Sequence, residues 1–126
     1  MSATLNIIGL GYGIYNVNGE EVTEDVLSTQ FTNFDKRILY NKYDVTKLVS
    51  KGTNCICVAV GNGFYNIFER NTRNFDSANW RDVPKLICEL EIVYSDSEKE
   101  YIVSDSSWKA SADGPVRYNI PRGGEI

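Results

Sequence analysis

The stretch "TLNIIGLGYGIYNVNG", residues 4–19, decides the fold expected for this chain. Apolar and polar residues roughly alternate in its two halves, 4–11 and 13–19, which is the period of a β-strand rather than of a helix. The "NG" at 18–19 is a strong signal for a hairpin turn, and "EEV" at 20–22 begins the return strand. The stretch therefore predicts antiparallel β-structure.

The remaining chain continues this pattern. Further strands are expected at 37–45, 54–61, 85–94 and 101–105, with short closing strands at 107–111 and 116–120. "NCICVAVG" (54–61) is continuously apolar, as in a strand covered on both faces. Thr46 can cap a single helical turn that Gly52 ends. These features predict an all-β fold, a jelly-roll-like antiparallel β-sandwich with at most one short helical turn.

Size and charge limit the classes of function. The 126 residues fit one domain, 1–126, with 42% hydrophobic residues for a single core. A net charge of -4 provides no electrostatic footprint for nucleic acid and argues against docking on anionic membranes. No apolar run approaches the ~20 residues of a membrane span. Neither nucleic acid nor a membrane is therefore an expected partner.

The cysteines and histidines limit the chemistry. Three cysteines, Cys55, Cys57 and Cys88, lie in apolar strands, and an odd count there predicts buried thiols rather than a disulfide framework. Cys55 and Cys57 are two residues apart and share one strand face. The chain contains no histidine, so a Ser-His-Asp or Cys-His mechanism cannot be built from it alone.

Residues 66–83 have no clean period and are expected to form a long surface loop, a type of segment that is often functional. One interpretation is that Phe75 and Trp80 pin the loop to the sandwich. The other is that the loop and the preceding turn contact a ligand, because aromatic rings, amides and carboxylates suit sugar hydroxyls and C–H faces. The candidate carbohydrate-binding residues are Asn62, Tyr65, Asp76, Asn79, Trp80 and Asp82, of which Asp76, Asn79 and Asp82 are also candidate calcium ligands.

Two other motifs have plain structural interpretations. Glu89 and Glu91 share a strand face about 6–7 Å apart, which overlaps the carboxylate spacing of inverting glycosidases but also suits a solvated face. The opposite face carries Leu86, Cys88, Leu90 and Ile92 and is expected to be the core face. "GLGYG" (9–13) lacks a dinucleotide-binding pattern, and its glycines are expected to let the backbone bend. Trp108 is expected at the core edge.

Several stretches in order resemble the N-terminal domain of bacterial α-L-rhamnosidases. They are "GLGYGIYNVNGEEV", "VLSTQFTNFDKRILYNKYDVTKLV", "GTNCICVAVGNGFY", "DVPKLICELEIVYSD" and "VSDSSWKAS". The resemblance implies a jelly-roll accessory domain of a multidomain glycoside hydrolase whose catalytic carboxylates lie in a separate helical barrel. The chain is therefore expected to be an excised domain without catalytic residues of its own.

The resemblance also implies a ligand, since related modules recognise substrate and some bind L-rhamnose through calcium. The chain departs from the family pattern at Asn62, where an acid is usual, at Phe64, where tryptophan is usual, at 80–84, which lacks a glycine, and at 123–125, which lacks an acid. These departures bear on calcium-dependent sugar binding more than on the fold.

Three functions remain open from the sequence. The first is recognition of rhamnose-containing carbohydrate. The second is a structural module that packs on other domains of the parent enzyme and would expose an apolar patch, or form homo-oligomers, when isolated. The third is a small enzyme using Glu89 and Glu91. Reduced cysteines favour a cytoplasmic parent, while an upstream signal peptide would make it secreted.

Overall fold

The computed structural model describes residues 1–70 and 72–114, which form two antiparallel sheets packed face to face. The strands are β1 Ser2–Leu10, β2 Tyr12–Val17, β3 Glu20–Glu21, β4 Asn41–Asp44, β5 Ile56–Gly61, β6 Lys85–Val93 and β7 Lys99–Val103. One sheet has the order β4-β1-β6-β7 and the other β3-β2-β5, and a 3-10 turn spans Phe75–Ser77. The predicted all-β antiparallel sandwich is confirmed.

The core lies between the two sheets and follows from the alternation in the central strands. Leu5 and Ile7 of β1 pair in register with Leu90 and Cys88 of β6, and all four side chains are buried. The facing sheet contributes its own buried side chains from β2, Tyr15 and Val17. Each fully buried side chain of this size contributes about 1.5–3 kcal/mol relative to an exposed one. The predicted core face of β6 is thereby confirmed.

The hairpin predicted at 18–19 is present. Asn18 and Gly19 have φ angles of 54° and 88°, as a tight turn between twisted strands requires, and β3 pairs with β2 after it. The Asn18 side chain also bonds outside the turn, since its Nδ2 donates to the carbonyl of Leu48 and its Oδ1 accepts the N–H of Cys55. One asparagine thus closes the hairpin and holds two neighbouring segments.

The glycines of "GLGYG" make room for other groups at the bend between β1 and β2. A side chain on Gly13 would collide with the Tyr15 ring, and one on Gly11 would collide with the carbonyl of Gly61. The Tyr15 hydroxyl lies beside Thr29 and Gly9 without a well-formed hydrogen bond, and burial raises its pKa. The expected structural role of these glycines is confirmed.

The cysteine prediction is wrong for two residues. Cys55 and Cys57 are exposed, and only Cys88 is buried. In β5 the exposed Cys57 and Ala59 alternate with half-buried neighbours, so the strand is not covered on both faces. β5 is the edge of its sheet, and in the described part of the chain no second layer covers its outer face. A continuously apolar run does not reveal how many of its faces are covered.

Several elements also differ from the sequence prediction. The strand expected at 37–45 is limited to Asn41–Asp44, and no strand forms at 107–111, where a turn at 105–108 has Asp105 accepting the N–H of Ser107. Trp108 packs against the core, as predicted. The Thr46 hydroxyl accepts the N–H of Ala3 instead of capping its own turn, which Asp44 caps. The features expected at 116–120 and 123–125 lie outside the described residues.

Candidate functional site

Aromatic rings from the start of β2 and from the loops around β2 and β5 form one cluster in the described part of the chain. This aromatic loop cluster consists of Tyr12, Phe31, Phe34, Phe64, Tyr65, Phe75 and Trp80. Phe34 is central, with ring centroids 5.3 Å from Tyr65, 5.5 Å from Phe31 and 6.1 Å from Trp80. These separations and the largely edge-to-face angles are those of favourable ring pairs.

The cluster explains why a loop without regular structure has a defined shape. Phe31 also contacts Phe64 at 5.5 Å and Phe75 at 5.6 Å, so loop residues 31–34 bridge the segment after β5 and the 3-10 turn. Phe75 and Trp80 pack on other rings rather than lying free on the surface. This arrangement is the one expected if the aromatic residues pin the loop to the sandwich.

The predicted carbohydrate residues occupy different environments. Tyr65 is only 6% exposed and lies inside the aromatic loop cluster with the half-buried Trp80. Asn62 accepts a hydrogen bond from the amide of Asn66 at 2.7 Å. Asn79 and Asp82 are exposed. The structure thus brings Tyr65 and Trp80 together through Phe34, leaves Asn79 and Asp82 on the loop surface, and half-buries Asn62 and Asp76.

Two polar atoms of the loop are buried without a hydrogen-bond partner, Oδ1 of Asp76 and Nε1 of Trp80. One is an acceptor and the other a donor, and buried groups of either kind are normally paired. A hydroxyl group offers both a donor and an acceptor. The chemistry of this pair therefore suits a hydroxyl-bearing ligand or water.

The predicted calcium ligands do not form a ready-made carboxylate cluster. No group of three or more His, Cys, Asp or Glu side chains positioned for a metal ion is found across 1–70 and 72–114. Asp82 forms an ion pair with Lys85 at 2.6 Å, and the hydrogen bond from Lys85 lowers the pKa of the Asp82 carboxyl. Asp82 would have to leave this lysine before it could bind a cation.

A second candidate region is the outer face of the four-stranded sheet. The register places Ile8 opposite Ile87, and Glu89 and Glu91 opposite Val103 and Tyr101. Tyr40 precedes β4 beside Ile8. We define the outer-face patch as Ile8, Tyr40, Ile87, Tyr101 and Val103. Ile87, on a central strand, is 63% exposed, and Tyr40, beside the edge strand β4, is 62% exposed.

The patch includes a shallow depression of about 270 Å³, bounded by Asn6, Ile8, Tyr40, Ile87 and Glu89. Nδ2 of Asn6 donates to Oε1 of Glu89 at 3.1 Å and orients that carboxylate. Sequence analysis missed Tyr40 and the Ile8–Ile87 pair. The alternation in 85–94 places Ile87 on the same outer face as Glu89. This alternation could have revealed Ile87 as an outward-facing apolar residue.

Glu89 and Glu91 share this face, as predicted, but lack the electrostatics of a glycosidase pair. Nζ of Lys99 lies 3.3 Å from Oε1 of Glu91, and its hydrogen bond lowers the pKa of that carboxyl. A general acid for glycoside hydrolysis needs a raised pKa. The environment of Glu91 therefore argues against Glu91 as the general acid of such a pair.

The comparison with known proteins decides the family. A model of the α-L-rhamnosidase N-terminal domain matches residues 1–126. The chain belongs to this family. Among curated relatives of the rhamnosidase domain, an α-L-rhamnosidase of Formosa agariphila is 36% identical over 126 residues, covering 98% of this chain and 13% of the relative.

Solved structures agree with the fold. The α-L-rhamnosidase from Dictyoglumus thermophilum superposes with a TM-score of 0.84 at 38% identity, covering 98% of this chain and 13% of that one. The enzyme from Aspergillus terreus superposes with a TM-score of 0.82 at 38% identity, covering 92% and 13%. The chain thus spans about 13% of these relatives and is the N-terminal, accessory domain of the enzyme. Catalysis by this domain alone is not supported.

No helix in the described part of the rhamnosidase domain is long and apolar enough to cross a membrane.

Proposed function

We propose that this accessory domain serves its parent α-L-rhamnosidase as a packing module, with the outer-face patch lying against another domain of the enzyme. The observation that carries the proposal is the patch itself: large apolar side chains from β6, β7 and the segment before β4 remain exposed on one face, beside the half-buried Ile8 of β1. Soluble monomers rarely expose a contiguous apolar surface of more than a few hundred Å².

The energetics favour covering this face. Removing apolar surface from water is favourable by about 25 cal/mol per Å². Charged residues of both signs lie on the same face: Lys42, Asp44 and Lys99 border the patch, and Glu89 and Glu91 lie between its β1 and β7 members. Protein interfaces commonly combine apolar contacts with polar groups in this way.

The test compares the same substitution on two outer faces. Ile87→Ser should lower the unfolding midpoint of the full-length parent enzyme but leave the isolated 126-residue chain nearly unchanged. The matched control is Ile14→Ser, which changes an exposed isoleucine on the outer face of the other sheet. An equal response of Ile87→Ser and Ile14→Ser in the parent would contradict the packing function.

The self-association of the isolated chain provides a second readout of packing. If the outer-face patch normally lies against a partner, the wild-type chain should associate with itself at high concentration and Ile87→Ser should reduce this. Sedimentation velocity over a range of concentrations measures both. Equal sedimentation of the two chains at every concentration would count against the patch as the associating surface.

A second function, recognition of rhamnose-containing carbohydrate, is supported by the unpartnered Oδ1 of Asp76 and Nε1 of Trp80. Sugar hydroxyls could accept from Nε1 of Trp80 and donate to Oδ1 of Asp76, and the exposed Asn79 and Asp82 would offer further oxygens on the same loop. Because both atoms are buried, binding requires the 72–84 loop to open.

Tryptophan fluorescence tests this second function. In a Trp108→Phe background Trp80 is the only tryptophan, so its emission reports on the loop. Titration with L-rhamnose, with and without calcium, should shift the emission, and Asp76→Asn should weaken the effect. D-glucose serves as the control sugar. If a folded domain gives no response to L-rhamnose under either condition, packing is its function and recognition is not.

A further inference from the structure

We infer that the depression in the outer-face patch is the anchor site for an arginine side chain of the partner domain. The inference rests on the packing function proposed above and names the chemistry of the contact. It combines three features of the depression: an apolar floor, an aromatic wall and a carboxylate held in place by an amide.

The floor and wall match the body of an arginine. Ile8 and Ile87 pair across β1 and β6 and supply an aliphatic surface for a methylene stem. The Tyr40 ring borders the same depression and can lie against a guanidinium plane, an interaction that strengthens when water is excluded. A purely apolar partner residue would use the floor and leave the carboxylate at its rim without a partner.

Glu89 supplies the charge that the apolar floor lacks. Within the described ranges its carboxylate bonds to the amide of Asn6 and has no cation within ion-pair distance. Lys42 lies on the same face but on β4, opposite Asn6 in the strand register, so strand β1 separates it from Glu89. Nζ of Lys99 is already bonded to Glu91.

Covering the patch makes a cation necessary. A carboxylate that loses its water without gaining a positive partner is strongly destabilising. The Asn6 amide neutralises no charge, so the partner domain must bring one. Arginine fits better than lysine, because its planar fork can bond to a carboxylate and stack on an aromatic ring at the same time.

Glu91 is the internal comparison. It lies two residues further along the same strand and on the same face, yet Lys99 already compensates its charge. The neutral amide beside Glu89 and the ammonium beside Glu91 explain why only Glu89 requires a cation from outside.

The test places charge-altering variants in the full-length parent enzyme and in the 126-residue chain. Glu89→Gln should lower the unfolding midpoint of the parent by clearly more than a neutralised glutamate outside the depression does. Glu89→Arg should lower it further, because it opposes the partner's cation. In the isolated chain both variants should unfold like the wild type. Glu98→Gln, at an exposed turn position, is the matched control.

The outcomes separate the inference from the function on which it rests. If Ile87→Ser destabilises the parent while Glu89→Gln behaves like Glu98→Gln or stabilises it, packing stands and the arginine anchor is overturned. If neither Ile87→Ser nor Glu89→Gln affects the parent, both are overturned. If L-rhamnose added to the isolated chain shifts the amide resonances of Asn6 and Glu89, the depression is a sugar site and the anchor is overturned.

Discussion

The aromatic loop cluster and the outer-face patch are both rich in large apolar side chains, yet they differ in how those side chains are covered. In the cluster, rings from irregular segments turn toward each other, and Tyr65 is almost completely enclosed. In the patch, side chains of regular strands point away from the core, with Ile87 and Tyr40 largely exposed.

The difference teaches which region is complete within the domain. Irregular segments can bend until their apolar groups meet, so a loop can provide its own small core. The pleat of a strand forces alternate side chains to opposite faces, so an outward isoleucine in a regular sheet can be covered only by another layer. The rings of the loop region are therefore covered largely by one another, while the apolar side chains of the sheet face are not covered within the described part of the domain.

The largest expected effect is a difference in thiol reaction rate between cysteines on an exposed strand face and the cysteine on a buried one. Cys55 and Cys57 are exposed and should react at once with a thiol reagent in the native chain. Cys88 is buried, and burial raises the pKa of its thiol, so its reaction should require opening of the core and be slower by roughly 10³-fold or more. Mass spectrometry of timed labelling checks this, and native labelling of all three thiols at one rate would contradict the packing described.

A smaller but still large effect should separate the cluster from the patch. Phe34→Ala removes the central ring and should cost about 2–3 kcal/mol of unfolding free energy, toward the low end for aromatic truncation because Phe34 is half-buried. Tyr40→Ala should cost the isolated chain less than about 0.5 kcal/mol, as surface substitutions do. Urea unfolding of both variants measures the difference, and equal losses would erase the distinction between the two regions.

Trp80→Phe tests whether the cluster is held by ring packing or by the indole N–H. Nε1 of Trp80 has no hydrogen-bond partner, so retaining a ring without the N–H should change the unfolding free energy by less than about 1 kcal/mol. Trp80→Ala, which removes the ring, is the paired variant and should cost clearly more. A loss from Trp80→Phe as large as that from Trp80→Ala would show that the N–H has an essential partner.

The smallest effect concerns the ion pair on the rim of the loop. The hydrogen bond from Lys85 lowers the folded-state pKa of Asp82, so the pair stabilises the fold above the unfolded pKa of about 3.9, and this stabilisation is lost as pH falls through the lower folded value. Both groups are exposed, so the contribution is small. The midpoint difference between wild type and Asp82→Asn should be slight at pH 7 and shrink as the pH falls below about 3.9 through the lower folded-state pKa. A difference that grows on acidification would have the wrong sign.

Most of the fold could be predicted because its signals are local. The alternation in β1 and β6 and the "NG" turn depend on neighbouring residues only, and each produced the expected element. The exposure of Cys55 and Cys57 could not be predicted, because the burial of a side chain on this strand depends on whether another layer lies over β5. The strand at 107–111 failed for a local reason, since the Asp105 side chain bonds to the Ser107 backbone and favours a turn.

The candidate sites divide in the same way. Residue types alone suggested a ligand site at the loop and the turn before it, with Tyr65 and Trp80 among the contacts. In the structure both rings pack against Phe34, a contact that sequence patterns do not reveal. The binding roles of the six predicted loop residues remain predictions. Glu89 could be placed on the outer face from its spacing, whereas its Asn6 partner depended on the register between β1 and β6.

The sequence by itself determined the central strands, the hairpin, the inward face of the core and the family, because periodicity and ordered motifs are properties of the chain read one segment at a time. The tertiary structure alone decided which aromatic rings enclose one another and which outward side chains meet across the sheet. Those contacts join residues as far apart as Asn6 and Glu89, and only the pairing of strands brings them within bonding distance.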